Sequence, residues 1–525
     1  MPRPTDVSIH DPLHQSPGYA DLVMQGLRRW PDRVAVVDAT GLTLTYEALE
    51  QRIWQFADVL ATNGLRKGQG LAQLASNRID GFVTMIAAMV LGARYTPLHP
   101  MGSLDDQRFI LKDAEIAILV VDTIGFETRG RDLVDSARTV LSLGTCDYAA
   151  DLVDIATSVT NPARLNASSP TDICWLTYTG GTTGQPKGVI LTQANMAASC
   201  LISAAEWEWP EQINYLACSP ISHAAGFLVA PTLLKGGTIT LLPGFNPDRI
   251  IELIEGGINT LFLVPTMIYA LLDHPGTQDA DLSNLELLVY ASAPMSPPRL
   301  RDALHLFGPV MMQCYGQTEN IHLTVMRKSE HDILKQERFL SCGRAPAGMQ
   351  TEILNEDNLP VPVGEIAEVC ARGPSVMSGY WKQPEATQQT LDNGWLRTGD
   401  LGRKDEEGFI YLVDRAKDMI ISGGFNVYPK EVENVLHSHP AVSNSAVIGA
   451  PDEKWGERVV AFVVRKTGET GSSDDLMELV KDKKGSVQVP KEIHFVNELP
   501  LTSLGKIDKQ ALRTGFWHNQ ERMVN

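Results

Sequence analysis

Apolar positions along the first part of the chain recur at the spacings of helices and strands in alternation. Thr45 is placed to cap a helix in which apolar residues recur at helical spacing from Ala48 to Leu60. Short apolar stretches such as GLAQLAS and EIAILVVD alternate with similar helical segments. This alternation predicts the α/β fold class, with a large multilayer α/β domain in the N-terminal part of the chain.

Later apolar strands end in turn-forming or small residues, as in TLFLVPT, LELLVYASAP and PVMMQCYG. Open α/β sheets present their ligand groups just after the strands. We therefore expect the functional residues to cluster at these strand ends.

The pattern of apolar residues changes after the stretch GFIYLVDR. The remaining sequence contains two helical patterns and three strand patterns, which are PKEVENVLHSH, DDLMELVKDK, AVSNSAVIGA, RVVAFVVRK and KEIHFV. These elements are enough for a small, mobile α+β domain. The sequence predicts a large N-terminal domain over residues 1–414 and a small C-terminal domain over residues 415–525.

Composition narrows the classes of partner and compartment. The 525 residues exceed what one hydrophobic core usually serves, and the formal net charge of −18 disfavours binding to nucleic acid or anionic membrane surfaces. The seven cysteines occur without a C-x-x-C pair, which argues against a zinc site or disulfide framework and favours a reducing cytosol. The first residues lack a signal-peptide pattern and no apolar stretch is long enough to cross a bilayer, so we expect a cytoplasmic protein. The oligomeric state stays open.

A glycine- and threonine-rich loop, YTGGTTGQPKG, lies between two apolar runs. Its glycines let the backbone turn successive N–H groups inward, and its hydroxyls and Lys187 add donors and positive charge, which suits a polyphosphate. The loop does not match the nucleotide-triphosphatase signature, because Lys187 follows Pro186 and precedes Gly188. Considered alone, it is as consistent with a plain connector as with a binding site.

Three further stretches offer suitable chemistry in turns or after apolar strands. YGQTE, from Tyr315 to Glu319, provides an aromatic ring, a hydroxyl and a carboxylate, the groups that suit a nucleotide base, a phosphate and a divalent cation. GWLRTGD ends at Asp400, whose carboxylate can accept from both hydroxyls of a ribose. LTSLGKIDK places Lys506 in a tight turn near the end of the sequence.

Taken together, these stretches resemble the adenylate-forming superfamily of acyl-CoA synthetases, coumarate-type CoA ligases, luciferases and peptide-synthetase adenylation domains. The chain is most similar to the acyl-CoA synthetases. The resemblance runs in order over nearly the whole chain, through YTGGTTGQPKG, ASAP, YGQTE, GWLRTGD, DRAKDMIISGGFNVYPKEVE and LTSLGKIDK. It implies an ATP-dependent carboxylic acid:CoA ligase, which makes an acyl-adenylate and pyrophosphate and then gives acyl-CoA and AMP.

The resemblance also implies which residues bind ATP, Mg²⁺ and CoA. Lys506 would bridge the acid and the α-phosphate, Thr318 would touch the α-phosphate, and Glu319 would anchor Mg²⁺. The implied nucleotide- and CoA-binding set is Thr179, Gly180, Gly181, Thr182, Thr183, Gly184, Lys187, Ser292, Ala293, Pro294, Tyr315, Gly316, Gln317, Thr318, Asp400, Arg415, Gly423, Gly424 and Lys506.

For the second half-reaction the superfamily rotates its small domain, and Lys417 matches the hinge position. Gly423 and Gly424 would then let the pantetheine arm of CoA pass. Two departures stand out: Gly180 replaces the serine of many relatives, and Ile421 replaces the lysine of luciferases and coumarate-type ligases.

The acyl pocket is assigned by motif position to small residues and one histidine. His223 matches a family histidine that shields this pocket, although a lone histidine among apolar residues is commonly a hydrogen-bonded core residue. The implied wall is His223, Ala224, Ala225, Gly226, Ala291, Tyr315 and Gly316. Its small residues would admit a ring or a medium chain, and no cationic residue stands out for a second carboxylate. The expected substrate is an aromatic or medium-chain monocarboxylic acid.

Two alternatives remain at this point. An adenylating ligase could pass the acyl group to an amine or to a carrier protein instead of CoA, since the first half-reaction would be the same. A nucleotide-binding regulatory protein without chemistry is the other alternative, and the presence of Lys506, Glu319 and Asp400 argues against it.

Overall fold

The computed structural model describes residues 16–179, 186–415, 418–422, 425–452, 455–466, 468–502 and 506–517. Helices and strands alternate along most of this part of the chain. The helices are α1 Tyr19–Arg29, α2 Tyr46–Thr62, α3 Ile79–Val90, α4 Leu104–Asp113, α5 Thr123–Leu133, α6 Leu152–Thr157, α7 Gln193–Glu206, α8 Val229–Leu234, α9 Pro247–Glu255, α10 Pro265–Leu272, α11 Pro275–Asp279, α12 Pro297–Phe307, α13 Pro384–Thr390, α14 Pro429–His437, α15 Ser473–Lys484 and α16 Lys509–Thr514.

The strands fall into four sheets. They are β1 Val34–Asp38, β2 Thr43–Thr45, β3 Gly70–Leu74, β4 Arg94–Pro97, β5 Ile116–Asp122, β6 Thr139–Leu143, β7 Ala150–Asp151, β8 Ile173–Thr179, β9 Lys187–Thr192, β10 Asn214–Ala217, β11 Thr238–Leu241, β12 Thr260–Leu263, β13 Leu287–Ala291, β14 Met311–Gln317, β15 Asn320–Met326, β16 Gln350–Leu354, β17 Ala367–Arg372, β18 Gly379–Tyr380, β19 Leu391–Asp392, β20 Trp395–Lys404, β21 Ile410–Arg415, β22 Ile420–Ser422, β23 Phe425–Val427, β24 Val442–Asp452, β25 Gly456–Arg465 and β26 Glu492–Phe495.

Two large sheets form the N-terminal part. The first sheet has the order β15-β14-β13-β12-β10-β11-β1-β2, and its strands from β14 to β1 are parallel. The second sheet has the order β18-β9-β8-β4-β3-β5-β6-β7, with β9 and β18 antiparallel to their neighbours. Such sheets place helices on their faces, as the alternating pattern predicts. The α/β fold class is confirmed.

Helix α2 shows how local sequence determines an element. The Thr45 hydroxyl accepts a hydrogen bond from the Ala48 amide and so caps the helix, as the sequence predicts. The helix then buries Leu49, Ile53 and Phe56 in the main hydrophobic core. The apolar stripe therefore determines which face of α2 packs inward.

A third sheet was not predicted. It is antiparallel, with the order β16-β17-β20-β19 and with β21 pairing with β20. Asp400 lies on β20 and is directly opposite Arg415 on β21. This sheet therefore carries two of the predicted nucleotide ligands on neighbouring strands.

The smaller C-terminal domain contains the fourth sheet, with the order β23-β22-β25-β24 and with β26 parallel to β25. Helices α14 and α15 pack on this sheet, and the predicted helices and strands of this segment are all present. The exact boundary at residues 414 and 415 stays a prediction. Among the described helices, none combines the length and apolar character that crossing a membrane requires.

Candidate active site

The glycine- and threonine-rich loop connects two paired strands of the second sheet. Thr179 ends β8 and Lys187 begins β9, and these residues face each other across the two strands. The loop residues Gly180, Gly181, Thr182, Thr183 and Gly184 lie outside the described residues. The structure therefore places the two flanks of the predicted phosphate loop side by side.

The YGQTE stretch forms a tight hairpin at the edge of the first sheet. Tyr315, Gly316 and Gln317 complete β14, and Thr318 and Glu319 form the turn into β15. Gly316 is required by a close approach, because a Cβ atom there would lie 2.0 Å from the carbonyl oxygen of Ile321. The hairpin thus places the hydroxyl and the carboxylate together at a strand end, as predicted.

Tyr315 connects this hairpin to the third sheet. Its hydroxyl donates a hydrogen bond of 2.6 Å to Oδ2 of the buried Asp400. Burial and the neighbouring Asp400 carboxylate both raise the pKa of Tyr315, so the phenol stays protonated and continues to donate. The predicted base-binding and ribose-binding residues therefore contact each other directly. Only the backbone of Arg415 is described, and it lies opposite Asp400.

The ASAP stretch follows β13, which pairs in parallel with β14. Ala291 lies beside Cys314, the residue before Tyr315. Ser292 has a φ angle of 71°, a left-handed conformation that is uncommon outside glycine. Ala293 is half-buried and Pro294 is exposed. This loop therefore lies next to the Tyr315 strand, where an adenine slot was predicted.

Glu319 and Lys187 share a neighbour that the sequence did not indicate. The Tyr380 hydroxyl donates a hydrogen bond of 2.7 Å to Oε1 of Glu319. The Lys187 ammonium lies 5.4 Å from the centroid of the Tyr380 ring, within the range of a cation–π contact. Burial and the Glu319 carboxylate raise the pKa of Tyr380, which keeps its hydroxyl protonated. One aromatic side chain thus joins the predicted phosphate-binding lysine to the predicted metal-binding carboxylate.

The donor chemistry around Glu319 fits Mg²⁺. Among the described residues, no group of three or more histidine, cysteine or acidic side chains is arranged to hold a metal ion. Mg²⁺ in nucleotide sites commonly needs only one or two protein carboxylates, because the substrate phosphates and waters complete its octahedron. A single carboxylate beside the Thr318 hydroxyl matches that requirement.

The predicted acyl-pocket histidine lies against a second histidine. The rings of His223 and His99 are 4.9 Å apart and nearly perpendicular, and the Ser222 hydroxyl is 2.9 Å from His223 Nδ1. Burial, aided by His99, lowers the pKa of His223 to about 3, so its imidazole is neutral at physiological pH. His223 is therefore positioned as a neutral hydrogen-bonding group.

Aromatic rings lie beside the small residues of the predicted pocket. Trp175 and Phe227 stack with their centroids 5.6 Å apart, and Tyr95 contacts Trp175 edge-on. Gly226 is buried, and a Cβ atom there would lie 2.0 Å from the Ile221 carbonyl oxygen and 3.2 Å from Trp175 Cη2. The preceding residue, Ala225, is buried, whereas Ala224 is half-buried. The glycine thus lets the backbone pass between a carbonyl group and an aromatic ring.

The C-terminal candidates lie in a separate domain. The Lys506 amide donates to the Thr502 hydroxyl at 3.2 Å, and its carbonyl oxygen accepts from the Thr502 amide at 2.7 Å. These contacts bring Thr502 and Lys506 together, on either side of residues that lie outside the described part of the chain. Lys417, Gly423 and Gly424 lie outside the described residues.

The sequence did not indicate Tyr380, His99 or the pocket aromatic residues Trp175, Phe227 and Tyr95. Tyr380 belongs to a two-residue strand, too short to show a periodic pattern. His99 follows β4 and is far in sequence from His223. His99 could have been identified as a candidate from the sequence, because it comes just after a parallel strand, where α/β sheets present their ligand groups.

Comparisons with known proteins agree with the family resemblance drawn from the motifs. The model of the AMP-binding enzyme family matches residues 24–381, and that of the AMP-binding enzyme C-terminal domain matches residues 431–506. The medium/long-chain-fatty-acid–CoA ligase FadD8 of Mycobacterium tuberculosis is 40% identical over 98% of this chain and 92% of its own length. The feruloyl-CoA synthase of an Amycolatopsis species is 35% identical, over 94% of this chain and 99% of its own.

Among solved structures, the amide bond synthetase McbA from Marinactinospora thermotolerans superposes with a TM-score of 0.88. It is 35% identical and the match covers 95% of this chain and 99% of that one. Sequence and structural similarity therefore extend over both domains.

Proposed function

The chain belongs to the AMP-binding enzyme family and is an ATP-dependent carboxylic acid:CoA ligase, and we propose that its acid is an aromatic or medium-chain monocarboxylate. The observation that supports this substrate class is the apolar, ring-lined environment of Gly226, with Trp175 stacked on Phe227. The relatives named above act on medium- and long-chain fatty acids and on ferulic acid, which supports the same class.

The first half-reaction brings together two anions, a carboxylate and a triphosphate. Their repulsion has to be cancelled before the acid oxygen can reach the α-phosphorus. In our proposal Thr179 to Gly184 and Lys187 hold the β- and γ-phosphates, and Thr318 contacts the α-phosphate. Glu319 would hold Mg²⁺, which supplies positive charge against the phosphate oxygens when bound.

In the same proposal, the nucleoside is held by Tyr315, Asp400 and the loop after β13. Asp400, already oriented by the Tyr315 hydroxyl, would accept from the ribose hydroxyls with Arg415 beside it on β21. The Tyr315 ring and the loop from Ser292 to Pro294 would enclose the adenine. The hydrogen bond from Tyr315 would hold the Asp400 carboxylate in place for the ribose, which lowers the cost of ordering on binding.

Lys506 would complete the site by bridging the incoming carboxylate and the α-phosphate. Its ammonium would stabilise the charge that grows in the transition state of adenylation. The same space cannot hold both this lysine and a pantetheine arm, so we propose that the C-terminal domain rotates at Lys417 before the thiol attacks. Gly423 and Gly424 would then face the CoA channel.

An amine acceptor in place of CoA is a second candidate. The structural similarity to the amide bond synthetase McbA favours it, since the two chains match over nearly their full lengths. The first half-reaction would be the same in both cases, so adenylation alone does not distinguish them.

A two-stage assay tests both parts of the proposal. A panel of carboxylic acids is first screened for acid-dependent exchange of pyrophosphate into ATP, without CoA. The best acids are then incubated with ATP and either CoA or a panel of amines. The products are identified by mass spectrometry. We expect acyl-CoA from aromatic or medium-chain monocarboxylates. Preference for a dicarboxylate would reject the substrate proposal, and amide products with no thioester would favour the second candidate.

A further inference from the structure

We propose that Tyr380 is a positioning residue for the triphosphate, whose hydroxyl orients Glu319 and whose ring orients Lys187. The inference deepens the proposed function and rests on it, because it concerns how the two charged groups of that site are held. Neither the glycine- and threonine-rich loop nor the YGQTE hairpin contains Tyr380, which lies on the short strand β18.

The hydroxyl of Tyr380 restricts the carboxylate. It donates to Oε1 of Glu319 at 2.7 Å. This hydrogen bond holds Oε1 and so restricts the orientations in which the carboxylate can present Oε2. Partners of this kind commonly orient metal-binding carboxylates and raise metal affinity.

The ring of Tyr380 restricts the lysine. Lysine carries a compact charge on a flexible four-carbon chain, so its ammonium samples many positions unless a neighbour favours one. The Lys187 ammonium lies 5.4 Å from the ring centroid, where the ring quadrupole attracts a cation. Tyr380 and Val189 are opposite each other on β18 and β9, which places the ring next to the start of the lysine strand.

Backbone hydrogen bonds tie the same segment to both partners. The Met377 amide donates to the Glu319 carbonyl oxygen at 2.8 Å, and the Ser378 amide donates to the Ile190 carbonyl oxygen at 2.9 Å. The Trp381 amide donates to the Gly188 carbonyl oxygen at 2.7 Å. Residues 377–381 thus bridge the Glu319 turn and strand β9. Tyr380 sits within this bridge, so the positions of Lys187 and Glu319 are coupled through one side chain.

The hydroxyl and ring roles can be separated by two substitutions at the same position. Tyr380→Phe removes the hydrogen bond to Glu319 and keeps the ring, whereas Tyr380→Leu removes both. The readout is the affinity for ATP measured by calorimetry on the full-length protein without acid, once with Mg²⁺ and once with EDTA. This binding measurement does not depend on turnover.

We expect Tyr380→Phe to weaken binding of ATP with Mg²⁺ by roughly tenfold and to leave binding in EDTA unchanged, because only the metal-facing carboxylate is released. Tyr380→Leu should in addition weaken binding in EDTA by roughly two- to fivefold, through loss of the cation–π contact. Tyr411→Phe is the matched control. It removes a hydrogen bond of 2.9 Å from the Tyr411 hydroxyl to the Asp405 carboxylate, which lies outside the site. The affinity for ATP should therefore be unchanged both with Mg²⁺ and with EDTA.

A double variant tests whether the Tyr380 hydroxyl affects ATP binding by way of the Glu319 carboxylate. In a Glu319→Gln background, Tyr380→Phe should cause no further loss of the Mg²⁺-dependent part of binding. The inference is overturned if Tyr380→Phe binds ATP with Mg²⁺ as the wild type does, if it loses affinity equally with and without metal, or if its effect is undiminished in the Glu319→Gln background.

These outcomes are distinguishable from failure of the proposed function. If the wild type binds no ATP under either condition, the proposed function itself is rejected. If the wild type binds ATP and the Tyr380 variants behave identically to it, only the positioning role is rejected. Should Tyr380→Leu fail to fold, the comparison of Tyr380→Phe with the Glu319→Gln variants still decides the hydroxyl role.

Discussion

The hydroxyl of Tyr315 donates a hydrogen bond of 2.6 Å to the buried carboxylate of Asp400. The two residues belong to different sheets, since Tyr315 lies near the end of β14 in the first sheet and Asp400 lies on β20 in the antiparallel third sheet. This contact fixes the distance between the surface that would stack on adenine and the carboxylate that would accept from the ribose.

Replacing Tyr315 by phenylalanine should therefore raise the KM for ATP. The ring would remain available for stacking, but Asp400 would lose a donor, and hydrogen bonds to charged groups contribute about 1.5–3 kcal/mol. We expect a rise of roughly tenfold or more in pyrophosphate exchange assays, with a smaller change in kcat. The Tyr411→Phe variant serves as the control. An unchanged KM for ATP would contradict the assigned role of the contact.

Replacing Lys506 by alanine should slow adenylation by roughly a hundredfold to a thousandfold. Loss of a comparable preorganised donor costs about 3–4 kcal/mol of transition-state stabilisation. The measurement is single-turnover release of pyrophosphate with the best acid. Lys483→Ala, on the exposed end of α15, is the matched control and should retain the wild-type rate. Equal rates of pyrophosphate release in the Lys506→Ala and Lys483→Ala variants would show that Lys506 takes no part in adenylation.

Replacing Lys417 by proline tests the hinge. Proline fixes one backbone angle and removes an amide donor, so it should hinder rotation of the small domain more than formation of the adenylate. We expect pyrophosphate exchange near the wild-type rate and a loss of thioester formation. The two half-reactions are measured separately, the second by transfer from isolated acyl-adenylate to CoA. Equal losses in both would argue against a hinge at this position.

A buried histidine outside the site predicts how stability depends on pH. His322 is fully buried, with its Nδ1 3.1 Å from the Ser199 hydroxyl and its Nε2 2.9 Å from the Ser203 hydroxyl. Burial lowers the pKa of His322 to about 4, so between roughly pH 6.5 and pH 4 the unfolded chain binds a proton that the folded chain does not. Stability should fall as the pH falls through this window, by up to about 3 kcal/mol from this residue.

The check is the apparent midpoint of thermal unfolding between pH 4 and pH 7. His322→Gln should lower the midpoint at pH 7 and reduce its dependence on pH. His305→Gln, at an exposed position on α12, should follow the wild-type curve. A His322→Gln curve parallel to that of the wild type would show that other groups determine the acid sensitivity.

The parts of the molecule that the sequence predicted are those determined by local pattern. Thr45 caps α2, the strands ending at Ala291 and Gln317 are present, and PKEVENVLHSH contains a helix from Pro429 to His437. The adenylate-forming resemblance and the acid:CoA ligase function are confirmed by the family match and the relatives. The motifs identified Tyr315 and Asp400 as candidates, and the structure adds their direct hydrogen bond.

The parts that were missed depend on contacts between distant segments. The third sheet was not predicted because its strands pair antiparallel with one another. The sequence prediction relied instead on strands that alternate with helices. Tyr380 was missed because its partners, Lys187 and Glu319, lie far from it along the chain. A tyrosine in a short strand indicates ordinary packing until the tertiary structure shows what its hydroxyl contacts. The role of the individual site residues stays a prediction for the experiments above.

Asp400 and Arg415 face each other on β20 and β21, and β21 ends two residues before Lys417. A nucleotide bound by Asp400 would therefore be attached to a strand that precedes the hinge proposed at Lys417. AMP would then stay bound while the C-terminal domain rotates. Lys506 would leave the acyl carbonyl group, and the thiol of CoA would take its place.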